Sequence, residues 1–264
     1  MSPPTDRGSD LGRIRAALGE ARLALRSLSN VDLGLKGEGD PVTEADLAVD
    51  AVLRRCLLRE GEGWLSEETR DDPGRLGRRR VWIVDPIDGT REFVEGIPEW
   101  SVSIGLVEDG RPVAGGILNP ATGEAIVGAV GSGVTLNDAP VRLRNRGRLE
   151  GATILASRSE FRRGEWDCHK TAPFRALPVG SVAWKLACVA SGKADGTWTE
   201  KPRNEWDLAG GVALVLAAGG TCRLPDGCEP LFNRPDTLLP GLFAGPEGLI
   251  EDARAYCAAG KRTG

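Results

Sequence analysis

The sequence predicts an α+β fold built from layers of helices and sheets. Apolar residues recur at intervals of three and four over residues 10–29, which is the spacing of an amphipathic helix. Residues 101–130 instead alternate strand-like apolar runs with Glu-Asp-Gly and Pro-Ala-Thr-Gly turns, as in an antiparallel meander. The chain has 264 residues, enough for two fused halves, and its Arg-rich stretch at 142–148 suggests subdomains at 1–147 and 148–264.

The remaining elements follow from the same patterns in chain order. The helix at 10–29 is expected to place its arginines on the solvent side. A loop with three glycines follows, and Thr43 then precedes a second helical pattern that ends near Gly61. The apolar run Val81 to Val84 is typical of a buried strand. Beyond the meander we expect strands at 152–156 and 196–199, a helix at 181–191, and a helix at 205–218 closed by Gly219 and Gly220.

Charge and hydropathy exclude several classes of function. Lys plus Arg number 34 against 38 Asp plus Glu, and the net charge of −4 disfavours a nucleic-acid polymer as partner. The longest apolar run, Gly211 to Gly220, is too short to cross a bilayer, so no membrane partner is expected. Residues 1–10 carry no apolar signal segment, and the six cysteines are dispersed as in a reduced protein. These features indicate a cytoplasmic protein.

The histidine content argues against two other kinds of site. His169 is the only histidine and the sequence contains no Cys-x-x-Cys motif, so a Cys/His zinc site lacks its usual ligands. A serine, histidine and acid triad would depend on that single imidazole, and no nucleophile-elbow motif accompanies it.

The segment from Trp82 to Thr90 carries the clearest chemical signal. Asp85 and Asp88 stand three residues apart directly after the predicted buried strand. Pro86 fixes φ and Gly89 permits close backbone approach, so the turn can direct both carboxylates and a backbone carbonyl at one point. Amides near Thr90 would open the next helical turn, where an anion is favoured. Hard oxygen ligands beside an anion site favour Mg²⁺. The alternative interpretation is an ordinary polar turn.

Three further acidic positions each allow a structural interpretation. Glu67 follows Trp64 and Leu65 and is by itself compatible with a solvated surface acid. Asp46 stands three residues after Thr43, as in a helix capping box, and Asp207 stands three residues after Asn204. Singly, none of them indicates catalysis.

Taken together, the acidic segments resemble the inositol monophosphatase family, the lithium-sensitive, magnesium-dependent phosphatases that include the 3'(2'),5'-bisphosphate nucleotidases. The resemblance covers about Lys36 to Gly220 and is most specific in the third segment. The matching segments are Asp40 to Asp46 (DPVTEAD), Ser66 to Thr69 (SEET), Trp82 to Thr90 (WIVDPIDGT), Gly131 to Asn137 (GSGVTLN) and Trp206 to Gly220 (WDLAGG through AGG).

The resemblance implies a layered αβαβα sandwich of the inositol monophosphatase / fructose-1,6-bisphosphatase type, with two to three Mg²⁺ ions between two subdomains. It implies that Glu67, Asp85 and the carbonyl of Ile87 hold a first ion, and that Asp85, Asp88 and Asp207 hold a second. Four carboxylates converging in one cleft would repel one another without such cations.

The resemblance also implies catalytic roles for individual residues and an oligomeric state. Glu67 and Thr90 would orient the attacking water, Asp46 would hold Thr90, and the amides of Gly89 and Thr90 would bind the phosphate. The family is often dimeric, which implies a homodimer acting on a small phosphate ester.

The substrate is the part on which the sequence says least. Lys185 stands where bisphosphate nucleotidases often carry Lys, and Glu200 matches an acid that accepts sugar hydroxyls in inositol phosphatases. The favoured substrate is therefore 3'-phosphoadenosine 5'-phosphate, with inositol 1-phosphate or a related sugar or metabolite phosphate as the alternative. Lys185 is equally compatible with a surface helix lysine. A catalytically silent metal- or phosphate-binding regulatory protein is the rival from another class.

Overall fold

A computed structural model describes residues 6–28 and 44–260 of the chain. The predicted glycine loop and the start of the Asp40 to Asp46 segment, including the expected cap residue Thr43, lie outside the described residues. The described helices are α1 (Arg7–Leu28), α2 (Glu44–Leu57), α3 (Thr90–Val94), α4 (Arg158–Arg162), α5 (Val182–Ala190), α6 (Glu205–Ala217) and α7 (Glu247–Gly260). The described strands are β1 (Gly63–Ser66), β2 (Arg80–Asp88), β3 (Ser101–Glu108), β4 (Arg111–Asn119), β5 (Glu124–Ala129), β6 (Gly133–Leu136), β7 (Ala139–Val141), β8 (Thr153–Ser157), β9 (Arg175–Val179), β10 (Gly196–Thr199), β11 (Arg203–Asn204), β12 (Thr221–Arg223), β13 (Leu238–Leu239) and β14 (Leu242–Gly245).

Most strands belong to two sheets. The first sheet has the order β1-β2-β3-β4-β5-β6-β7, so neighbours in sequence are neighbours in space. Its strands pair antiparallel except β1 and β2, which are parallel. The second sheet has the order β12-β14-β10-β8-β9. The chain passes from one sheet to the other between Val141 and Thr153, which is the stretch where the sequence suggests a division into subdomains.

Helices cover both sheets and separate them, which gives five layers. α1 and α2 pack on one face of the first sheet, and α5 and α6 lie between the two sheets. α7 packs on the outer face of the second sheet. Three apolar clusters fill the spaces between these layers. The order is α, β, α, β, α, as the resemblance implies.

The alternation of side chains in β2 shows how one strand serves two cores. Trp82 and Val84 belong to the cluster beneath α1 and α2, whereas Val81 and Ile83 belong to the cluster around α5 and α6. Successive side chains of a strand point to opposite faces, so a strand buried on both faces is apolar at every position. This explains the continuous apolar run that identified the strand.

Glycines allow α6 to lie directly on the first sheet. A Cβ built on Gly115 of β4 would stand 2.3 Å from the carbonyl oxygen of Gly210, and one on Gly105 of β3 would stand 2.7 Å from the Cβ of Ala209. No side chain fits at this contact, so the helix axis approaches the sheet more closely than larger residues would permit. α6 ends in a Schellman motif, in which Gly219, at φ 84°, donates to Leu216 and Gly220 donates to Val215.

The structure confirms most of the predicted elements and corrects one feature of α1. Ile14, Leu18, Ala21 and Leu25 are buried as the helical spacing predicts. Arg13, expected on the solvent side, is instead buried: its guanidinium lies 4.8 Å from the Trp82 ring centre and donates to Glu62 at 3.0 Å. A carboxylate partner and an aromatic face make this burial favourable.

Candidate active site

The end of β2, the second strand of the first sheet, carries two carboxylates. Asp85 pairs with Ser103 and Asp88 with Ser101 of β3, and the register shifts between the two aspartates. Pro86 stands in this irregular stretch, where its missing N–H leaves no ladder hydrogen bond broken. Asp85 is only 1% exposed and Asp88 only 8%, although β1 pairs with β2 only as far as Val84. The acidic turn is therefore part of the strand rather than a surface loop.

Glu67, Asp85 and Asp207 form an acidic trio. One carboxylate oxygen from each lies within 4.8 Å of the others. Glu67 follows β1, Asp85 lies in β2, and Asp207 lies in the first turn of α6, where it accepts a hydrogen bond at 3.1 Å from the N–H of Asn204. The capping-box interpretation of Asp207 is thus confirmed, and the same carboxylate also faces the trio. The two roles are compatible because a carboxylate has several lone-pair sites.

Burial and mutual repulsion raise the pKa values of the whole acidic group. Burial first, and then the charges of Asp88 and Glu67, raise the pKa of Asp207 to about 8. Burial and the charges of Asp88, Glu68 and Asp46 raise the pKa of Glu67 to about 7. Asp85, fully buried beside the other acids, has its pKa raised well above the usual range.

These acids fit a divalent cation. Oδ1 of Asp85 is buried and has no hydrogen-bond partner among the described residues. An orphaned buried carboxylate oxygen, surrounded by further carboxylates with raised pKa values, is stabilised when a cation takes the place of the missing donor. The donor set consists of oxygen atoms, which Mg²⁺ prefers. The simple-turn interpretation of the β2 aspartates is therefore disfavoured. Glu67 is exposed, as its surface interpretation predicts, and its carboxylate also faces the other two acids.

Asp88 joins the acidic turn to the start of α5. Its Oδ2 accepts hydrogen bonds of 2.6 Å from the Ser181 hydroxyl and 2.6 Å from the N–H of Ala183. Ser181 is also the N-cap of α5, and its Oγ accepts from the N–H of Trp184 at 2.9 Å. Burial raises the pKa of Asp88, and the Ser181 hydrogen bond opposes that shift. The start of α5 is thus anchored directly on a predicted metal ligand.

The residues after Asp88 form the predicted turn into a helix. Gly89 has φ 93°, and a Cβ there would meet the backbone of Glu99 at 3.2 Å, so this position requires glycine. α3 begins at Thr90, whose hydroxyl donates to the carbonyl of Ile87 at 3.2 Å. The structure therefore places Thr90 against the same carbonyl that the resemblance assigns to a metal ion. Asp46 is buried, and its charge acts on both Asp85 and Glu67, which places it beside the acidic trio.

A cleft of about 230 Å³ opens beside these acids and contains three cationic side chains. Asp88, Glu92 and Asp207 line it together with Arg158, Lys185 and Arg203. Arg158 donates to Glu99 through Nε and Nη2, and Arg203 donates to Glu160 at 3.0 Å. The sequence patterns identified neither arginine, because each is fixed by a carboxylate tens of residues away along the chain.

The interpretation of Lys185 as a surface helix lysine is wrong. Its side chain is 4% exposed, and Nζ donates to the carbonyl oxygens of Ser181 at 2.8 Å and Val179 at 3.3 Å. Burial lowers the pKa of Lys185 to about 8, and the nearby charge of Asp88 opposes this shift. Helical periodicity could not predict this burial, because α5 is packed between the two sheets and has almost no solvent face.

The structure does not place Glu200 in this cleft. Glu200 is exposed and lines a separate, larger cavity together with His169 and Tyr256. Its expected contact with a sugar hydroxyl therefore stays a prediction.

Comparisons with known proteins decide the family. The sequence profile of the inositol monophosphatase family matches residues 10–258. The chain belongs to the inositol monophosphatase family. An inositol-1-monophosphatase of Rhizobium meliloti (strain 1021) is 35% identical over 204 residues, which are 73% of this chain and 75% of that protein. A histidinol-phosphatase of Chlorobaculum parvum is 33% identical over 194 residues, which are 71% of this chain and 73% of that protein. The structure of an inositol monophosphatase from Anabaena (Nostoc) sp. PCC 7120 superposes with a TM-score of 0.77 at 26% identity and covers 96% of both chains.

Membership of the inositol monophosphatase family confirms the fold and the reaction class. The fold is the layered sandwich of that family, and the protein is a phosphoric monoester hydrolase with an acidic group suited to a metal ion. The six cysteines are all free thiols, as expected. Among the described helices, none combines the length and the apolar character that spanning a membrane requires.

Proposed function

We propose that this protein is a Mg²⁺-dependent phosphomonoesterase whose two to three ions are held by Glu67, Asp85, Asp88, Asp207 and the carbonyl of Ile87. The observation that carries the proposal is the orphaned oxygen of the buried Asp85 close to the carboxylates of Glu67 and Asp207. When bound, Mg²⁺ supplies charge neutralisation at the phosphoryl oxygens and lowers the pKa of a water molecule. The chain's own groups then bind the ester, orient it and position the water.

The proposed roles of the other residues follow from their places around the acidic trio. Glu67 is the most exposed member, so its carboxylate is accessible to accept a hydrogen bond from the attacking water. Thr90 is half-buried, and its hydroxyl can orient the same water while donating to Ile87, with Asp46 as support. The N–H groups of Gly89 and Thr90 open α3 and would bind the phosphate.

As substrate we propose 3'-phosphoadenosine 5'-phosphate, which makes the protein a 3'(2'),5'-bisphosphate nucleotidase. The supporting observation is the set of three cations, Arg158, Lys185 and Arg203, in a cleft that also holds two predicted metal ligands. A second phosphate would meet these cations, whereas a neutral polyol offers them no charge. Inositol 1-phosphate is the second candidate, because the Rhizobium meliloti relative carries the name of an inositol-1-monophosphatase.

Assays of phosphate release test both the proposed reaction class and the proposed substrate. The purified protein should release phosphate from 3'-phosphoadenosine 5'-phosphate with Mg²⁺ and not after chelation, and kcat/KM for this substrate should exceed that for inositol 1-phosphate. The reverse ranking would assign the protein to inositol phosphates. Failure to release phosphate from any phosphomonoester, with Mg²⁺ bound, would indicate the silent binding protein.

The variant Lys185→Met tests the second-phosphate contact while keeping most of the aliphatic stem. We expect KM for 3'-phosphoadenosine 5'-phosphate to rise about ten- to a hundredfold, the value of a charge-assisted contact, with little change for inositol 1-phosphate. Because the Lys185 ammonium also ties together the backbone before α5, thermal unfolding must be measured alongside. Equal losses for both substrates would assign Lys185 a purely structural role.

A further inference from the structure

The segment that carries Glu67 is fastened on both sides to one carboxylate of α2. The Ser66 hydroxyl donates to Oδ1 of Asp50, and the Thr69 hydroxyl donates to Oδ2 of Asp50, each at 2.5 Å. Asp50 is 8% exposed and Ser66 is 3% exposed, so little water competes for the shorter of the two links. The two oxygens of one side chain therefore hold the residues that flank Glu67 and Glu68.

A third hydrogen bond closes the turn between these two contacts. The N–H of Glu68 donates to Oγ of Ser66 at 3.2 Å, which is the local contact by which a serine fixes the backbone two residues further on. Ser66 is also the last residue of β1 and pairs with Val84 of β2. Glu67 itself is exposed, so its carboxylate gains little support from packing. Its position depends on the backbone that these hydrogen bonds fix.

The helix that carries Asp50 is firmly packed. Val49 and Leu53, close to Asp50 in α2, are fully buried in the same apolar cluster as Val84 of β2. The next residue of β2 is Asp85, whose Oδ1 is orphaned. Asp50 therefore connects the acidic segment after β1 to the body that carries Asp85.

Asp50 is not arranged to be a metal ligand itself. Both of its oxygens accept hydroxyl groups, and among the described residues the acids that converge are Glu67, Asp85 and Asp207. Asp46, one helical turn before Asp50, is the acid of α2 whose charge acts on Glu67 and Asp85. The two buried acids of α2 thus have different surroundings: one faces the trio, and the other holds the segment from which Glu67 projects.

We propose that Asp50 is a positioning residue for the metal site. Through two hydroxyls it fixes the backbone of Glu67, so that the Glu67 carboxylate faces Asp85 at a distance that one divalent cation can span. This inference rests on the proposed role of Glu67 as a Mg²⁺ ligand. It adds a residue that acts on the ion without touching it, and losing such an orienting partner typically lowers metal affinity about ten- to a hundredfold.

Two substitutions of Asp50 separate hydrogen bonding from charge. Asp50→Ala removes both acceptors. Asp50→Asn removes the charge but keeps both contacts, because its carbonyl oxygen can accept from Ser66 while its amide donates to the Thr69 hydroxyl. Glu62→Gln is the control for stability, since Glu62 lies just before the other end of β1 and accepts from Nε1 of Trp82 at 2.9 Å. Thermal unfolding with a chelator present measures the stability of all three variants.

Calorimetric titration of the metal-free protein with Mg²⁺ gives the main readout and needs no turnover. We expect Asp50→Ala to weaken Mg²⁺ binding about ten- to a hundredfold. Asp50→Asn and Glu62→Gln should bind Mg²⁺ within about twofold of the wild type, although Glu62→Gln lowers the melting temperature.

Thr69→Val provides a second route should Asp50→Ala fail to fold. It deletes one of the two hydroxyls with little change of shape and leaves α2 unaltered. We expect it to weaken Mg²⁺ binding about two- to tenfold, the value of one hydrogen bond. Unchanged Mg²⁺ affinity in folded Thr69→Val would count against the proposal in the same way as unchanged affinity in Asp50→Ala.

A double-mutant cycle tests whether Asp50 acts through Glu67. Glu67→Gln should weaken Mg²⁺ binding by itself, because it removes the charge of a proposed ligand. In that background Asp50→Ala should weaken binding by less than about twofold, since the ligand that Asp50 positions is already lost. Losses that add in full would show that Asp50 affects the metal ion independently of Glu67 and would overturn the proposal.

The remaining outcomes separate this inference from the proposed phosphatase function. Wild-type affinity in Asp50→Ala, or an equal loss in Asp50→Asn, overturns the positioning role and leaves the metal centre standing. A wild-type protein that binds no Mg²⁺ overturns the metal centre and this inference with it. The expected pattern of Mg²⁺ binding without release of phosphate from any ester supports the role of Asp50 and overturns the proposed activity.

Discussion

At the scale of single residues, the role of Asp85 depends on its burial. The neighbouring residues in the sequence indicate that burial only in part. The sequence shows an aspartate after an apolar strand, which is also what a polar turn would show. The structure adds that Asp85 is buried and that one of its carboxylate oxygens lacks a donor. An unpaired buried carboxylate is costly, which supports the proposal that a bound cation neutralises it.

Asp85→Asn should therefore have opposite effects on activity and on metal-free stability. Removing the charge that both proposed ions share should lower kcat about a thousandfold or more, which corresponds to about 4 kcal/mol. Without Mg²⁺ the variant should unfold at a higher temperature than the wild type, because folding no longer buries a carboxyl group whose ionised form burial and the neighbouring acids disfavour. Steady-state phosphate release and thermal melts with and without Mg²⁺ measure both effects.

Asp195→Asn is the matched control for that substitution. Asp195 is also buried, but it lies outside the site, accepts a 2.8 Å hydrogen bond from Thr153 and faces Arg146 at 3.5 Å. Its replacement should lower stability and leave kcat unchanged. If Asp85→Asn instead kept near-wild-type turnover at saturating Mg²⁺, Asp85 would not be a ligand of the catalytic ions.

Residues differ in how far the sequence could predict their roles. Asp85, Asp88 and Asp207 stand in short segments whose residue types and order carry the resemblance, so their convergence was predictable. Arg203 and Glu160 are 43 residues apart and act as a pair, which leaves no local pattern. The resemblance identified Lys185 as a substrate-side residue from its place in the sequence. Its burial results from the packing of α5 between two sheets, which the sequence of α5 alone does not show.

At the scale of elements, the position of α6 matters most, because this helix carries Asp207 and lies on the sheet that carries Asp85. Gly105, Gly115 and Gly210 allow the contact, and the sequence showed them only as glycines in apolar segments. The elements that the sequence analysis missed are short or terminal. β1 has four residues, too few for an alternation signal, whereas α7 does carry the spacing Leu249, Ala253 and Tyr256, which could have predicted it.

Gly115→Ala should displace α6 and thereby weaken the metal site. The added methyl would stand 2.3 Å from the carbonyl oxygen of Gly210, which is backbone and cannot rotate away. We expect a loss of about 1–3 kcal/mol of unfolding free energy, the usual cost of overpacking, together with weaker Mg²⁺ binding. Denaturant unfolding and a Mg²⁺ titration of activity measure the two effects.

The control for this overpacking is Gly19→Ala in α1. A Cβ at Gly19 would meet nothing within 4 Å, so the substitution should raise stability by about 0.5–1 kcal/mol through helix propensity alone. If Gly115→Ala and Gly19→Ala changed the free energy of unfolding by the same amount, α6 and β4 would not be in close contact in solution.

At the scale of the whole molecule, the proposed site forms only when β1, β2, α5 and α6 are packed together. Glu67 follows β1, Asp85 lies in β2, Asp207 lies in α6 between the sheets, and the Ser181 hydroxyl at the start of α5 donates to Asp88. The layer order could be expected from the resemblance, whereas the cleft could not, because its lining residues come from distant segments of the chain. Global stability and the charge state of the acidic trio are consequently linked.

This linkage predicts how Mg²⁺ stabilises the protein as the pH changes. Folding raises the pKa of Glu67 to about 7 and that of Asp207 to about 8, so both acids hold protons more tightly in the folded than in the unfolded state. The stability they contribute without metal is fully present below about pH 4 and is lost as the pH rises through about 7 to 8. Mg²⁺ binds the deprotonated carboxylates, so Mg²⁺ binding opposes this loss of stability. The affinity for Mg²⁺ also increases over the same pH range. The increase in melting temperature caused by saturating Mg²⁺ should therefore be larger at about pH 8 than at about pH 6.

Glu205, whose pKa burial raises to about 7, titrates in this window too, but it lies outside the trio, and its effect cancels when melts with and without Mg²⁺ are compared. A Mg²⁺ effect that is equal at both pH values, or larger at about pH 6, would show that the acidic trio does not exchange protons for the metal ion.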